Sequence, residues 1–190
     1  MSLPPLNLRG GKGELKIETG KIITRGEKMN LTADQILEIA QYSIVRLDGA
    51  WFLALAAKLG KEKAWEMDIE AWKQFSYLFG KKIRKEIIPN PVWPESFLDM
   101  LDILSKVLKI EGRKTKVEGD TITIQAVDCE IQKAIARAGI ADCGIVTVHT
   151  YKGLMGGLFE KEMDVLVRHT KNLNQGDDCC EVIISKQPPP

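Results

Sequence analysis

Thr115-Lys-Val-Glu-Gly-Asp-Thr-Ile-Thr-Ile-Gln-Ala-Val127 decides the fold. Its β-branched residues alternate at a period of two around Gly119-Asp120, a glycine-first step of the kind that closes tight hairpins, so two antiparallel strands are predicted. Upstream of Lys114 the apolar residues recur at helical spacing instead. The change of period predicts an α+β protein, with an N-terminal helical bundle packed on a C-terminal antiparallel sheet that carries helices on one face.

Working upstream, Pro94 or Glu95 opens a helix to about Lys109 with Phe97, Leu98, Leu101, Leu104 and Leu108 inward, after a linker punctuated by Pro89, Pro91 and Pro94. Before it, a helix from about Lys61 carries Ala64, Asp68, Ala71, Trp72, Phe75 and Phe79 on one stripe, where Asp68 needs a partner such as Arg46 or Lys58. A first helix begins at Thr32, which forms a capping box with Gln35, and places Ile36, Ile39, Ala40, Ser43, Ile44 and Leu47 on one face. Asp48-Gly49 is expected to break it before a second, buried helix over Ala50–Leu59, stopped by Gly60. Glycines at 10, 11, 13, 20 and 26 suit a flexible N-terminal arm over 1–30, with a short strand through Leu15 to Ile23. Residues 31–110 then form a helical subdomain and 111–187 an α+β ligand-binding domain.

Downstream, Asp128 or Cys129 starts a short helix over Ile131–Ala138, and Asp142 caps another from Cys143 to about Phe159. Met163–His169 and Cys179–Ser185 alternate at period two and pair antiparallel across a glycine-containing loop. Val165, Val167 and His169 share one phase, and Cys180, Val182 and Ile184 share another, so His169 and Cys180 converge across that loop.

Composition narrows the function. With 27 basic and 26 acidic residues, a net charge of +1 gives no field that draws the chain to nucleic acid or an anionic membrane. No stretch approaches the ~20 apolar residues that span a bilayer, and the chain reads as cytoplasmic. In a reducing compartment Cys129, Cys143, Cys179 and Cys180 are thiols, metal ligands or reactive groups rather than disulfides. Phosphate-loop, dinucleotide, nucleophile-elbow and zinc-protease signatures are all missing from the sequence.

The distinctive chemistry therefore lies in the last third. Cys143, in the first turn of a helix capped by Asp142, is favoured as a thiolate by free amides and the helix dipole, while His149 lies well around that helix. The best metal set is Cys143 with Cys180, completed by His169, Cys179 or Cys129, and zinc or iron is the metal it would take. Tyr151, Gly153, Gly157 and His169 are candidate ligand-binding residues, although glycines spaced as at 153, 156 and 157 more often let two backbones pack closely. Any of the cysteines can instead fill the core.

Cys143, then Gly153-Leu-Met-Gly-Gly-Leu158, an alternating strand and Gly176-Asp-Asp-Cys-Cys-Glu-Val182 together resemble the four-vinyl reductase domain, which binds small molecules. Over about residues 115–186 the chain is also similar to the C-terminal region of the L-2-amino-thiazoline-4-carboxylate hydrolase family. Arg46-Leu-Asp-Gly-Ala-Trp-Phe52 with Asp68 and Trp72 resembles helices of proteins related to that family. The resemblance implies a helical cap on a ligand-binding α+β domain, with Cys143 and Cys180 matching two family cysteines. Asn172 and Asn174 stand where a further cysteine is often found, and His149 stands where the hydrolase pattern tends to carry an acid.

Three functions follow as expectations. The first is a cytoplasmic binder of a small-molecule ligand. The second is a hydrolase of a C–N or C–S bond in a small heterocycle, with Cys143 as nucleophile or metal ligand and His149 as general base. The third is an interaction subunit, a homodimer among its forms, that uses exposed members of Trp51, Trp65, Trp72 and Trp93.

Overall fold

A computed structural model of the chain describes residues 30–160 and 165–186. The expected arm over 1–30, apart from Asn30, and the strand Leu15–Ile23 lie outside the described residues. The chain divides into the units Met1–Leu31 and Thr32–Pro190, and every element below lies in the second.

Three helices come first: α1 (Ala33–Leu59), α2 (Lys61–Glu86) and α3 (Glu95–Leu108). The short strand β1 (Ile110–Glu111) pairs with β4 (Asp128–Cys129), and between them β2 (Lys114–Glu118) and β3 (Thr121–Ala126) form the expected hairpin. Then follow α4 (Glu130–Arg137), α5 (Gly144–Phe159), β5 (Val165–Lys171) and β6 (Cys180–Lys186). The main sheet runs β2-β3-β6-β5, antiparallel throughout. This is the α+β architecture that the change of period predicts.

Strand alternation positions the core. Ile122 and Ile124 of β3, Val182 and Ile184 of β6 and Val167 of β5 are buried, and they meet Phe97, Met100, Leu101 and Leu104 of α3 and Val146, Leu154, Met155 and Leu158 of α5. One hydrophobic core thus crosses residue 110.

Thr32 and Gln35 close the capping box that starts α1, and Gly60 at φ +85° ends it. The expected break at Asp48-Gly49 does not occur, because α1 continues through it for 27 residues, ~40 Å. Glycine inside a helix costs only about 1 kcal/mol relative to alanine, which contacts along α2 offset. Nor is Ala50–Leu59 buried: Phe52 is the buried residue of α1, whereas Trp51, Leu53 and Leu59 are exposed, as are Ile36, Ile39 and Leu47 of the expected inward face. Lying chiefly against α2, α1 leaves those residues at the surface.

The inward line of α2 also differs from the aromatic stripe. Ala64, Trp72, Ser76, Gly80 and Ile83 are buried, while Phe75 is partly exposed. The reason is α5, which approaches so closely that small residues are required. A Cβ on Gly157 would stand 2.2 Å from the Tyr77 carbonyl oxygen, one on Gly153 2.1 Å from Ser76 Oγ, and one on Gly80 2.5 Å from the Leu154 carbonyl oxygen. No helix among the described residues is long and apolar enough to cross a membrane.

Candidate functional site

The opposite side of α5 is built differently. The N-cap of α5 is Cys143 and not Asp142 as expected; Asp142, one residue earlier, accepts from the Gly144 backbone N–H through Oδ1 at 2.7 Å, a bond across two residues that turns the chain into the helix. Cys143 is buried there against β5 and β6. In β5 the inward phase that holds Val167 also holds His169, which sits opposite Val182, and a bulge follows between His169 and Lys171. In β6 the phase of Val182 and Ile184 reaches Cys180, paired with Ala126. The ligating atoms of Cys143, His169 and Cys180 accordingly lie within 4.8 Å of one another.

Electrostatics divides the two thiols. The neighbouring Cys143, with His169 and the Leu173 backbone N–H, pulls the Cys180 thiol below its ordinary value, against the opposing effect of burial. The neighbouring Cys180, then burial, pushes Cys143 above the ordinary thiol range. The direction is the reverse of the helix-dipole expectation: of the pair, Cys180 is the thiol held low and Cys143 the one held high.

Asn172 fixes this arrangement, a role that residue type alone does not announce. It is 2% exposed. Its Nδ2 donates to Asp142 Oδ1 at 2.9 Å, its Oδ1 accepts from the Asn174 backbone N–H at 3.0 Å and lies 3.5 Å from Cys143 Sγ, and its own backbone N–H donates to Asp177 Oδ2 at 2.6 Å. Gly144 clears the way for the imidazole, since a Cβ there would stand 2.7 Å from His169 Nδ1. Nε2 of His169 is buried with no hydrogen-bond partner among the described residues.

Cys143 and Cys180 also line a cavity of about 100 Å³ beneath α5. Leu101, Leu104, Ile124, Val146 and Val182 supply apolar wall, and Tyr151, Thr150, Cys129 and Arg113 add polar groups. Tyr151 packs edge-on against Phe97 at 6.2 Å, and burial raises its phenol above the usual range.

Other expected site residues lie elsewhere. His149 faces Lys73, Lys152 and Glu70, and burial with the nearby lysines lowers its pKa. It does not join Cys143, six residues away and so on a different face of α5. Gly153 and Gly157 belong to the α2–α5 contact and not to the cavity, because backbone and Ser76 already occupy the space a ligand would need. Cys179 is buried outside the three-residue set, and Cys129 caps α4, its Sγ 3.5 Å from the Gln132 nitrogen.

Asp68 pairs with neither Arg46 nor Lys58 among the described residues. It lines a second cavity with Arg46, Asp48 and, from α4, Arg137, and burial together with the Asp48 charge raises its pKa to about 7. Asp48 is raised as well by burial, moderated by a hydrogen bond from Trp72.

Residues 28–171 match the family described as "Family of unknown function (DUF6125)". The chain belongs to that family. No curated protein matches it. Among solved structures the chain is similar to the phenol-responsive sensory domain of the transcription activator PoxR, crystallised with phenol, at a TM-score of 0.51 and 12% identity, covering 77% of this chain and 74% of that one. At that identity the likeness is one of fold.

Proposed function

We propose that this DUF6125 member is a cytoplasmic small-molecule-binding protein whose ligand occupies the cavity beneath α5, with Cys143, His169 and Cys180 holding zinc or iron at its wall. One observation carries the reading: two residues of the soft three-ligand set are also walls of the apolar cavity. The chemistry of the set suits either metal, since two sulfurs and an imidazole with an unpartnered buried nitrogen are what zinc and iron take. Tetrahedral zinc would bring these atoms to about 3.5–3.8 Å apart, a contraction that side-chain rotation supplies. Bound metal would keep both cysteines deprotonated and offer an open position to a ligand atom. The resemblance to the four-vinyl reductase domain and the fold shared with a phenol-responsive domain support the same reading.

Calorimetric titration with toluene and phenol tests it. Both rings bind the wild-type chain, and Val146→Phe, which fills the cavity from α5, abolishes binding while circular dichroism stays native. Failure of both rings to bind, or unaltered binding by the filled variant, overturns the proposal.

A further inference from the structure

A pocket for an uncharged ring needs only apolar walls, yet two buried polar atoms in this wall have no hydrogen-bond partner among the described residues: Arg113 Nη1 and Thr150 Oγ1. Arg113 joins outside to inside. Its Nη2 donates to Asp102, whose side chain is 63% exposed, while the arginine side chain is only 14% exposed. The guanidinium cannot shed its charge, and a buried charged donor without an acceptor is a cost that leucine or methionine at this position would not incur.

Thr150 makes the same point from α5. It is 8% exposed and could bond the carbonyl one turn back, as Thr147 bonds the Cys143 carbonyl at 3.1 Å, but it does not. Arg113 and Thr150 line the same cavity of about 100 Å³, so the two orphaned donors face one small space.

Size sets the rest. The cavity, about 100 Å³, is smaller than the ~150 Å³ cavity that accepts benzene, so a single ring enters only as the apolar side chains of its wall shift, and two rings do not. We infer that the cavity takes a monocyclic carboxylate of benzoate size, its carboxylate accepting from Arg113 Nη1 and the Thr150 hydroxyl and its ring lying among Leu101, Leu104, Ile124 and Val182. This rests on the cavity reading above and adds the ligand's class.

The test is calorimetric titration of the full chain with sodium benzoate, phenol and toluene. Benzoate binds about ten- to a hundredfold tighter than toluene, the range expected for hydrogen bonds to a charged group. Arg113→Met removes most of that advantage, Arg113→Lys retains part, and Thr150→Val reduces it while leaving the melting temperature equal or higher, because the lost hydroxyl had no partner. Benzoate binding no tighter than toluene overturns the inference. So does an advantage that survives Arg113→Met, or one that disappears when metal is chelated and Arg113 is intact. If toluene, phenol and benzoate all fail to bind, the cavity reading itself falls.

Discussion

Helix α5 has two faces made for opposite purposes. Toward α2 it presents Gly153 and Gly157, and backbone meets backbone with no space for a methyl group. Toward the sheet it presents Cys143, Val146, Thr150 and Tyr151 around a cavity whose polar atoms are incompletely satisfied. Close packing on one face makes α5 a rigid mount, and the other face can then hold strained or unsatisfied groups in place. The glycine-rich run is the mount, as the packing reading of its spacing expects, and the candidate site is on the side that carries the cysteines.

Substitutions should separate the two faces. The largest effect belongs to the packed one: Gly157→Ala loses about 3 kcal/mol in urea unfolding, the upper range for overpacking, because the backbone of Tyr77 and Lys81 must move. A loss below about 0.5 kcal/mol would show that the helices separate easily. Asn172→Ala comes next, at about 2 kcal/mol, since it strips a buried hydrogen bond from Asp142 and frees Cys143. Faster alkylation of Cys143, read by mass spectrometry, should accompany it.

A pH series sharpens the cavity side. In chelator-treated protein Cys180 has its pKa lowered from the ordinary thiol value to about 5, so its contribution is complete above the unfolded value and is lost as pH falls toward 5. Cys143, raised in the folded state, keeps its proton over that window. Wild-type stability relative to Cys180→Ser therefore grows from pH 5 to pH 8, and a flat difference in urea midpoints would mean an ordinary thiol. The smallest effect lies away from α5. Asp68 has its pKa raised to about 7, so its penalty appears as pH climbs from about 4 through 7, and Asp68→Asn should stabilise at pH 8 but hardly at pH 4. The gain stays near ~1 kcal/mol because the site is partly solvated.

Local signals were the legible ones. The Thr32–Gln35 capping box, the Gly119-Asp120 hairpin and the strand phases that bring His169 toward Cys180 all follow from spacing of a few residues. What spacing cannot show is how closely one helix approaches another, so the small-residue line Ser76–Gly80 was hidden behind the aromatic residues beside it. Gly49 sits within a helix because α2 supports it, and propensity alone is blind to that support. Asn172 and Arg113 were illegible for a related reason: their importance lies in partners 30 and 11 residues distant, and in one nitrogen left without any.

Metal content, measured by elemental analysis of protein purified without added metal or chelator, decides most directly whether the cysteine face of α5 is a functional site. Close to one equivalent of zinc or iron is expected in wild type and in Cys179→Ser, with little in Cys143→Ser, Cys180→Ser or His169→Ala. Metal-free protein that takes up no zinc on titration, its Cys143 and Cys180 alkylating as fast as in the unfolded chain, would contradict the assignment.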